Sequence, residues 1–205
     1  TEIYTLSLHD ALPISGKGEE AGTPFVRLGS KSGLRGLTFW YPEQDLTNLS
    51  PYPWTIQSTG PGCWMLDVTC GNSYQGADFW TYDSTGHLIR YFAGCYLRRG
   101  LFISKSDGPG YTEDVMYNPH FSARLPKGIV KAWEGDAWGP TIDFIWRNQE
   151  GIVFGRCDEE WVARTFLFAS YAGMKFADDN GGMKGQVVKD RKSTRLNSSH
   201  GQLSR

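Results

Sequence analysis

Four glycines, Gly76, Gly100, Gly151 and Gly173, each open the same short pattern, and their steps of 24, 51 and 22 residues constrain the fold more than any other feature of the chain. After them come Ala77-Asp78-Phe79, Leu101-Phe102-Ile103, Ile152-Val153-Phe154 and Met174-Lys175-Phe176, apolar at the first and third places and free at the second. That alternation is the mark of a strand with one buried face. A period of 22–24 residues, with one interval carrying an insertion, is the period of a stacked solenoid. A second column, Val68, Tyr91, Val115 and Thr165, steps by 23, 24 and 50 and keeps the same register. Each coil is therefore expected to hold at least two short strands separated by a bend, with equivalent strands about 4.8 Å apart. The expected fold is all-β, a parallel β-helix. Asp67, Arg90, Asp114 and Arg164 precede the second column and predict an outward ladder of alternating charge.

The two ends stand apart. Residues 1–15 (TEIYTLSLHDALPIS) and the tail from Asp190 (DRKSTRLNSSH and onward to 205) resemble in-frame translations of common sequencing-library adapters. The expected organisation is thus an adapter-like segment at 1–15, a β-helix fragment of a longer protein at 16–189, and an adapter-like tail at 190–205. Setting the ends aside leaves 17 basic against 19 acidic residues, which offers no electrostatic footprint for nucleic acid or an anionic membrane. No apolar run approaches the ~20 residues of a membrane span. Cys63, Cys70, Cys95 and Cys157 form no CxxC pair and no metal-ligand spacing, so they are expected to be buried thiols, and no metal or cofactor is expected.

Aromatic residues make up 14% of the chain. The phenylalanines fall mostly in the inward columns, whereas Trp40, Trp54, Trp133, Trp138 and Trp146 sit in stretches rich in Pro and Gly that read as loops. Indoles held there suit stacking on sugar rings. The period breaks once, between His120 and Glu150; Thr141–Gln149 within it reads as a short amphipathic helix. Long loops on a rigid scaffold collect binding groups, and this one is bounded by two polar junctions, Asn118-Pro-His120 and Gly155-Arg-Cys-Asp-Glu-Glu-Trp161.

The strings Gly33-Leu-Arg-Gly-Leu-Thr-Phe-Trp-Tyr-Pro-Glu-Gln44, Pro51-Tyr-Pro-Trp-Thr-Ile56, Asn72-Ser-Tyr-Gln-Gly-Ala-Asp78, Asn118-Pro-His-Phe121 and Gly155–Trp161 together resemble bacterial right-handed β-helix proteins of the pectin-lyase-like superfamily. These are the proteins described as pectate lyase superfamily or as related to glycoside hydrolase families 28 and 55. The resemblance runs from about Leu34 to Met183. It implies a right-handed parallel β-helix, a secreted or cell-surface setting and a polysaccharide or oligosaccharide partner; it carries over no catalytic residues, because the family's Asp sets have no counterpart at matching positions. Residue types supply the remaining expectations. Glycoside hydrolysis needs two carboxyl groups flanking the bond, and elimination needs a base near a neutralised uronate. Asp158, Glu159 and His120 are the candidate catalytic groups; Trp133, Trp138 and Arg156 are the candidate substrate-binding groups, with Arg156, Lys105 or His120 as bases if the reaction is an elimination. Asp78 and Asp83 are also placed where they would face a groove. The expected function is a polysaccharide-active enzyme, a hydrolase before a lyase. The alternative is a non-catalytic carbohydrate-binding or adhesive β-helix.

Overall fold

The computed structural model describes residues 11–13, 18–123, 138–188 and 196–198. Along the chain lie β1 (Ala11–Pro13), β2 (Val26–Leu28), β3 (Gly33–Trp40), β4 (Trp54–Ser58), β5 (Trp64–Cys70), β6 (Gln75–Phe79), β7 (Leu88–Gly94), β8 (Arg99–Ile103), β9 (Ser106–Glu113) and β10 (Met116–Tyr117). There follow α1 (His120–Ala123), α2 (Trp138–Asn148), β11 (Glu150–Phe154), β12 (Cys157–Ala163), β13 (Phe166–Leu167), β14 (Ala172–Phe176), β15 (Met183–Val188) and β16 (Leu196–Ser198). The strands fall into two sheets with every pairing parallel. The first runs β1-β3-β5-β7-β9-β12-β15, with β10 and β13 forming a short further strip; the second runs β16-β14-β11-β8-β6-β4-β2. From β2 onward the chain alternates between them, save that β10 and β13 follow β9 and β12 within the first sheet, and strands pair with their equivalents one coil away. This is a parallel β-helix.

The glycine column is real. Ala77 pairs with Leu101, Leu101 with Ile152 and Ile152 with Met174, which sets Gly76, Gly100, Gly151 and Gly173 on four successive rungs. A side chain cannot be accommodated there: a Cβ on Gly76 would meet the carbonyl oxygen of Gly100, one on Gly100 that of Gly151, and one on Gly151 that of Gly173. The rings of Tyr96 and Tyr117 press on Gly76 and Gly100 as well, so the column gives up side chains to let aromatic rings approach the backbone.

The second column needs a correction. Val68 pairs with Phe92, not Tyr91, and the buried column is Val68, Phe92, Val115 and Thr165. Tyr91 belongs one position earlier, with Gly36, Asp67, Asp114 and Arg164, and all five of these residues have φ between 54° and 69°. The bend of each coil is made by one left-handed residue. Four of the five carry a Cβ, at a cost of roughly 1–2 kcal/mol each that the flanking ladders must offset. The outward ladder is correspondingly altered: Arg90 is ion-paired with Glu113 at 2.7 Å rather than with an aspartate, and Arg164 bridges Asp114 at 2.7 Å and Glu113 at 3.2 Å.

Inside, the columns Ile56–Ala77–Leu101–Ile152–Met174 and Phe79–Ile103–Phe154–Phe176 face Met65, Ile89 and Val162 of the first sheet. Each fully buried Ile, Leu or Phe contributes roughly 1.5–3 kcal/mol. Cys63, Cys70, Cys95 and Cys157 are free and buried; burial pushes the Cys70 thiol up to about 12. The break in the period leaves after β10 and returns at β11 one rung on. Its helix α2 buries Thr141 and Ile145, and Gln149 beyond its end, the i, i+4, i+8 stripe of a docked helix. Ile145 joins a second small core with Leu46, Cys95, Leu97 and Ala169. Of the adapter-like ends, Ala11–Pro13 pairs with β3 and Leu196–Ser198 with β14.

Candidate functional site

Stacking brings together residues far apart in sequence on the second sheet, and there they border an open groove of about 530 Å³. Its lining includes Glu20, Trp54, Gln57, Asp78, Thr81 and Arg99. Register explains the assembly: Trp54 pairs with Gln75 and Gln75 with Arg99, while Gln57 pairs with Asp78. Asp78 is buried and accepts four hydrogen bonds, from the backbone N–H groups of Trp80 (2.8 Å) and Thr81 (3.0 Å), the Thr81 hydroxyl (2.6 Å) and the Gln57 amide (2.8 Å). Such a carboxylate is fixed in place by its donors. Arg99 Nη1 reaches Gln75 Oε1 at 2.8 Å and Glu20 Oε1 at 2.9 Å, and its guanidinium carbon stands 5.9 Å from the centre of the Phe102 ring. Phe102 also meets Trp54 and Trp80 edge-on, with centroids 5.3 and 6.1 Å away. An aromatic wall thus runs along a trough of amide, carboxylate, hydroxyl and guanidinium groups.

The residues expected at the polar junctions are placed differently. Asp158 Oδ2 takes a hydrogen bond from Arg156 at 2.9 Å and its Oδ1 pairs with Lys184 at 3.2 Å. The Arg156 and Lys184 hydrogen bonds hold the Asp158 carboxyl below the usual carboxylate range, the reverse of what a general acid requires. Arg156 is shared with Asp107 at 2.8 Å, and its hydrogen bond to Asp158 raises it further, so it is unsuited to act as a base. Glu159 is exposed on β12. His120 is exposed, bonds Asn118 Oδ1 through Nδ1 at 2.8 Å, and lines a separate pocket of about 340 Å³ with Met116, Asn118 and Phe121. Asp158 stands at the level where β9 begins, whereas His120 follows β10 beyond the far end of β9. The two are separated by about the length of that strand, on the order of 20 Å, and are not brought into one site.

Trp133 lies outside the described residues, and of Trp138 the backbone is described, at the first residue of α2. Two tryptophans expected in loops are strand residues: Trp40 ends β3 fully buried, and Trp54 opens β4. Lys105 donates to the Thr81 carbonyl at 2.7 Å. Among the groove residues, the sequence pattern marks Asp78 by its position but gives no sign of Glu20, Gln57 or Arg99. Extending the glycine register by one residue to either side would have aligned Gln75 with Arg99.

A different pair of charges lies inside the coil. His87 Nε2 is 3.1 Å from Glu160 Oε2, both side chains are fully buried, and Gly110 sits between them because a Cβ there would strike both. Thr112 donates to Glu160 Oε1 at 2.9 Å, and His87 Nδ1 stands 2.9 Å from the Ser84 carbonyl oxygen. Desolvation works to lower the His87 imidazolium, but the Glu160 charge and hydrogen bond, with the Ser84 carbonyl, outweigh it and hold the group above its ordinary value. Among the described residues, no three His, Cys, Asp or Glu side chains are gathered to hold a metal ion. No protein family, no curated protein and no solved structure matches the chain.

Proposed function

We propose that this chain is a polysaccharide-binding stretch of a secreted or cell-surface β-helix protein, right-handed and of the pectin-lyase-like kind, and that the sugar chain lies in the groove of the second sheet. The supporting observation is the half-buried Trp54 indole, braced edge-on by Phe102, at the border of an open trough of side-chain amides and carboxylates. Flat rings receive the apolar faces of pyranoses, and the polar groups receive hydroxyls. Binding to a panel of oligosaccharides, read by calorimetry, tests this. Trp54→Ala should weaken binding about tenfold, the equivalent of ~1.4 kcal/mol, with Trp54→Phe retaining most of it; no loss in either variant overturns the location.

Hydrolysis is the second reading, and Glu20 with Asp78 favours it, since two carboxyl groups border the same trough. Glu20→Gln should then abolish turnover of a polysaccharide while leaving its affinity nearly unchanged. Unchanged turnover, or none in the parent protein, leaves the site as a binding surface.

A further inference from the structure

We infer that the second-sheet groove selects uncharged sugar units and rejects uronates, an inference that rests on the carbohydrate-binding reading above. Two carboxylates, Glu20 and Asp78, line the trough against one guanidinium, Arg99. Its charge is already shared: one of its nitrogens is 2.9 Å from Glu20 and 2.8 Å from the Gln75 amide oxygen, and the guanidinium stands by Phe102. Two other cations on these coils are directed elsewhere, Lys105 to the Thr81 carbonyl and Arg27 towards the Tyr82 hydroxyl at 3.5 Å. A uronate carboxylate entering the trough would meet two like charges against one guanidinium that Glu20 already pairs, and burial against the aromatic wall would deepen that repulsion. A neutral hexose or pentose meets only groups that exchange hydrogen bonds with hydroxyls: the Gln57 amide, the Thr81 hydroxyl, the Glu20 carboxylate and the Arg99 fork. The choice is made by what the groove withholds, a form of specificity built on repulsion.

Calorimetric titration of the full chain with neutral gluco-, galacto- and xylo-oligosaccharides and with oligogalacturonate of equal length, at low salt and again at ~0.5 M salt, tests this. The expected result is at least one neutral series binding tenfold or more tighter than the uronate, with the gap narrowing in salt as screening weakens the repulsion. Glu20→Gln should raise uronate affinity several-fold, and Trp54→Ala should weaken the neutral series. Uronate binding as tight as the best neutral series, or a gap unmoved by salt and by Glu20→Gln, overturns the inference while leaving carbohydrate binding intact. Failure of every sugar to bind overturns the binding reading and this inference with it.

Discussion

Two charge clusters sit on the same three coils of the first sheet, three or four residues apart along each, and they differ in nearly everything except sequence distance. His87 and Glu160 meet across Gly110 in the interior, with no exposed surface on either side chain. Arg90, Glu113, Asp114 and Arg164 form a chain across three coils on the exterior, with the arginines about half exposed. Both are built by the same register, so the stacking geometry alone does not decide their worth. Water decides it. The outer chain exchanges hydrated charges for paired ones at little net gain. The inner pair has lost its hydration and survives only because each partner, with Thr112 and the Ser84 carbonyl, answers the other.

The sharpest way to break this contrast is to remove one inner partner. Glu160→Ala leaves an unpaired buried imidazole and should cost about 3–5 kcal/mol, lowering the melting midpoint by roughly 10 °C for a chain of this size. Calorimetric unfolding measures it, and a fall of only a degree or two would mean that the interior is hydrated after all. Next in size is Gly100→Ala, which drives a methyl into the Gly151 carbonyl and the Tyr117 ring; overpacking of this kind costs about 1–3 kcal/mol. A neutral result there would undo the explanation of the glycine column.

A smaller effect comes from pH, and the two clusters should respond on opposite sides. Because the folded state holds His87 above its ordinary value, its contribution is complete below about 6.5, the unfolded value, and is lost as the pH rises through the higher folded value. Asp114, lowered chiefly by its hydrogen bond from Arg164, contributes above the usual carboxylate range and loses that contribution as the pH falls through its depressed value. Urea midpoints from about pH 2 to 9, compared between the parent and a His87→Gln variant, separate the two limbs. An alkaline limb that persists in the variant assigns it to another group. The smallest expected effect is that of Arg164→Ala, no resolvable change in the melting midpoint; a clear fall would show that the outer network acts as a unit.

What could be seen in the sequence follows the same division between backbone and side chain. The glycine column is legible because a carbonyl one rung away leaves no room for a Cβ at Gly76, Gly100 and Gly151, so the same letter recurs on four successive rungs, while the rung before them carries Thr55. The second column slipped by one at Tyr91 because a left-handed bend can be taken by Asp, Tyr or Arg, none of which announces its φ. Trp40 and Trp54 read as loop residues because Pro42 follows the one and Pro51 and Pro53 precede the other, although β3 ends at Trp40 and β4 begins at Trp54. The helix of the insertion was visible in the spacing of Thr141, Ile145 and Gln149. The groove was mostly hidden: Glu20, Trp54, Asp78 and Arg99 come from four different coils, and only a correct register sets them side by side. The charge-rich run at Arg156–Glu160 reads as one polar corner, yet it divides between an ion-paired position at Asp158 and a core position at Glu160, because the pairing register shifts between Cys157 and Glu160 and breaks the strand alternation that would have set both on one face.

The return of the chain at Gly151, one rung above Gly100 after a step of 51 residues where its neighbours take 24 and 22, separates the length of what is spliced in from the geometry of what carries it. Closing a longer flexible excursion costs only about 0.6 kcal/mol per doubling, and the rungs on either side register through their own backbones. This coil corner is therefore a socket in the physical sense, a place whose contents can change in length while the scaffold goes on counting its turns undisturbed.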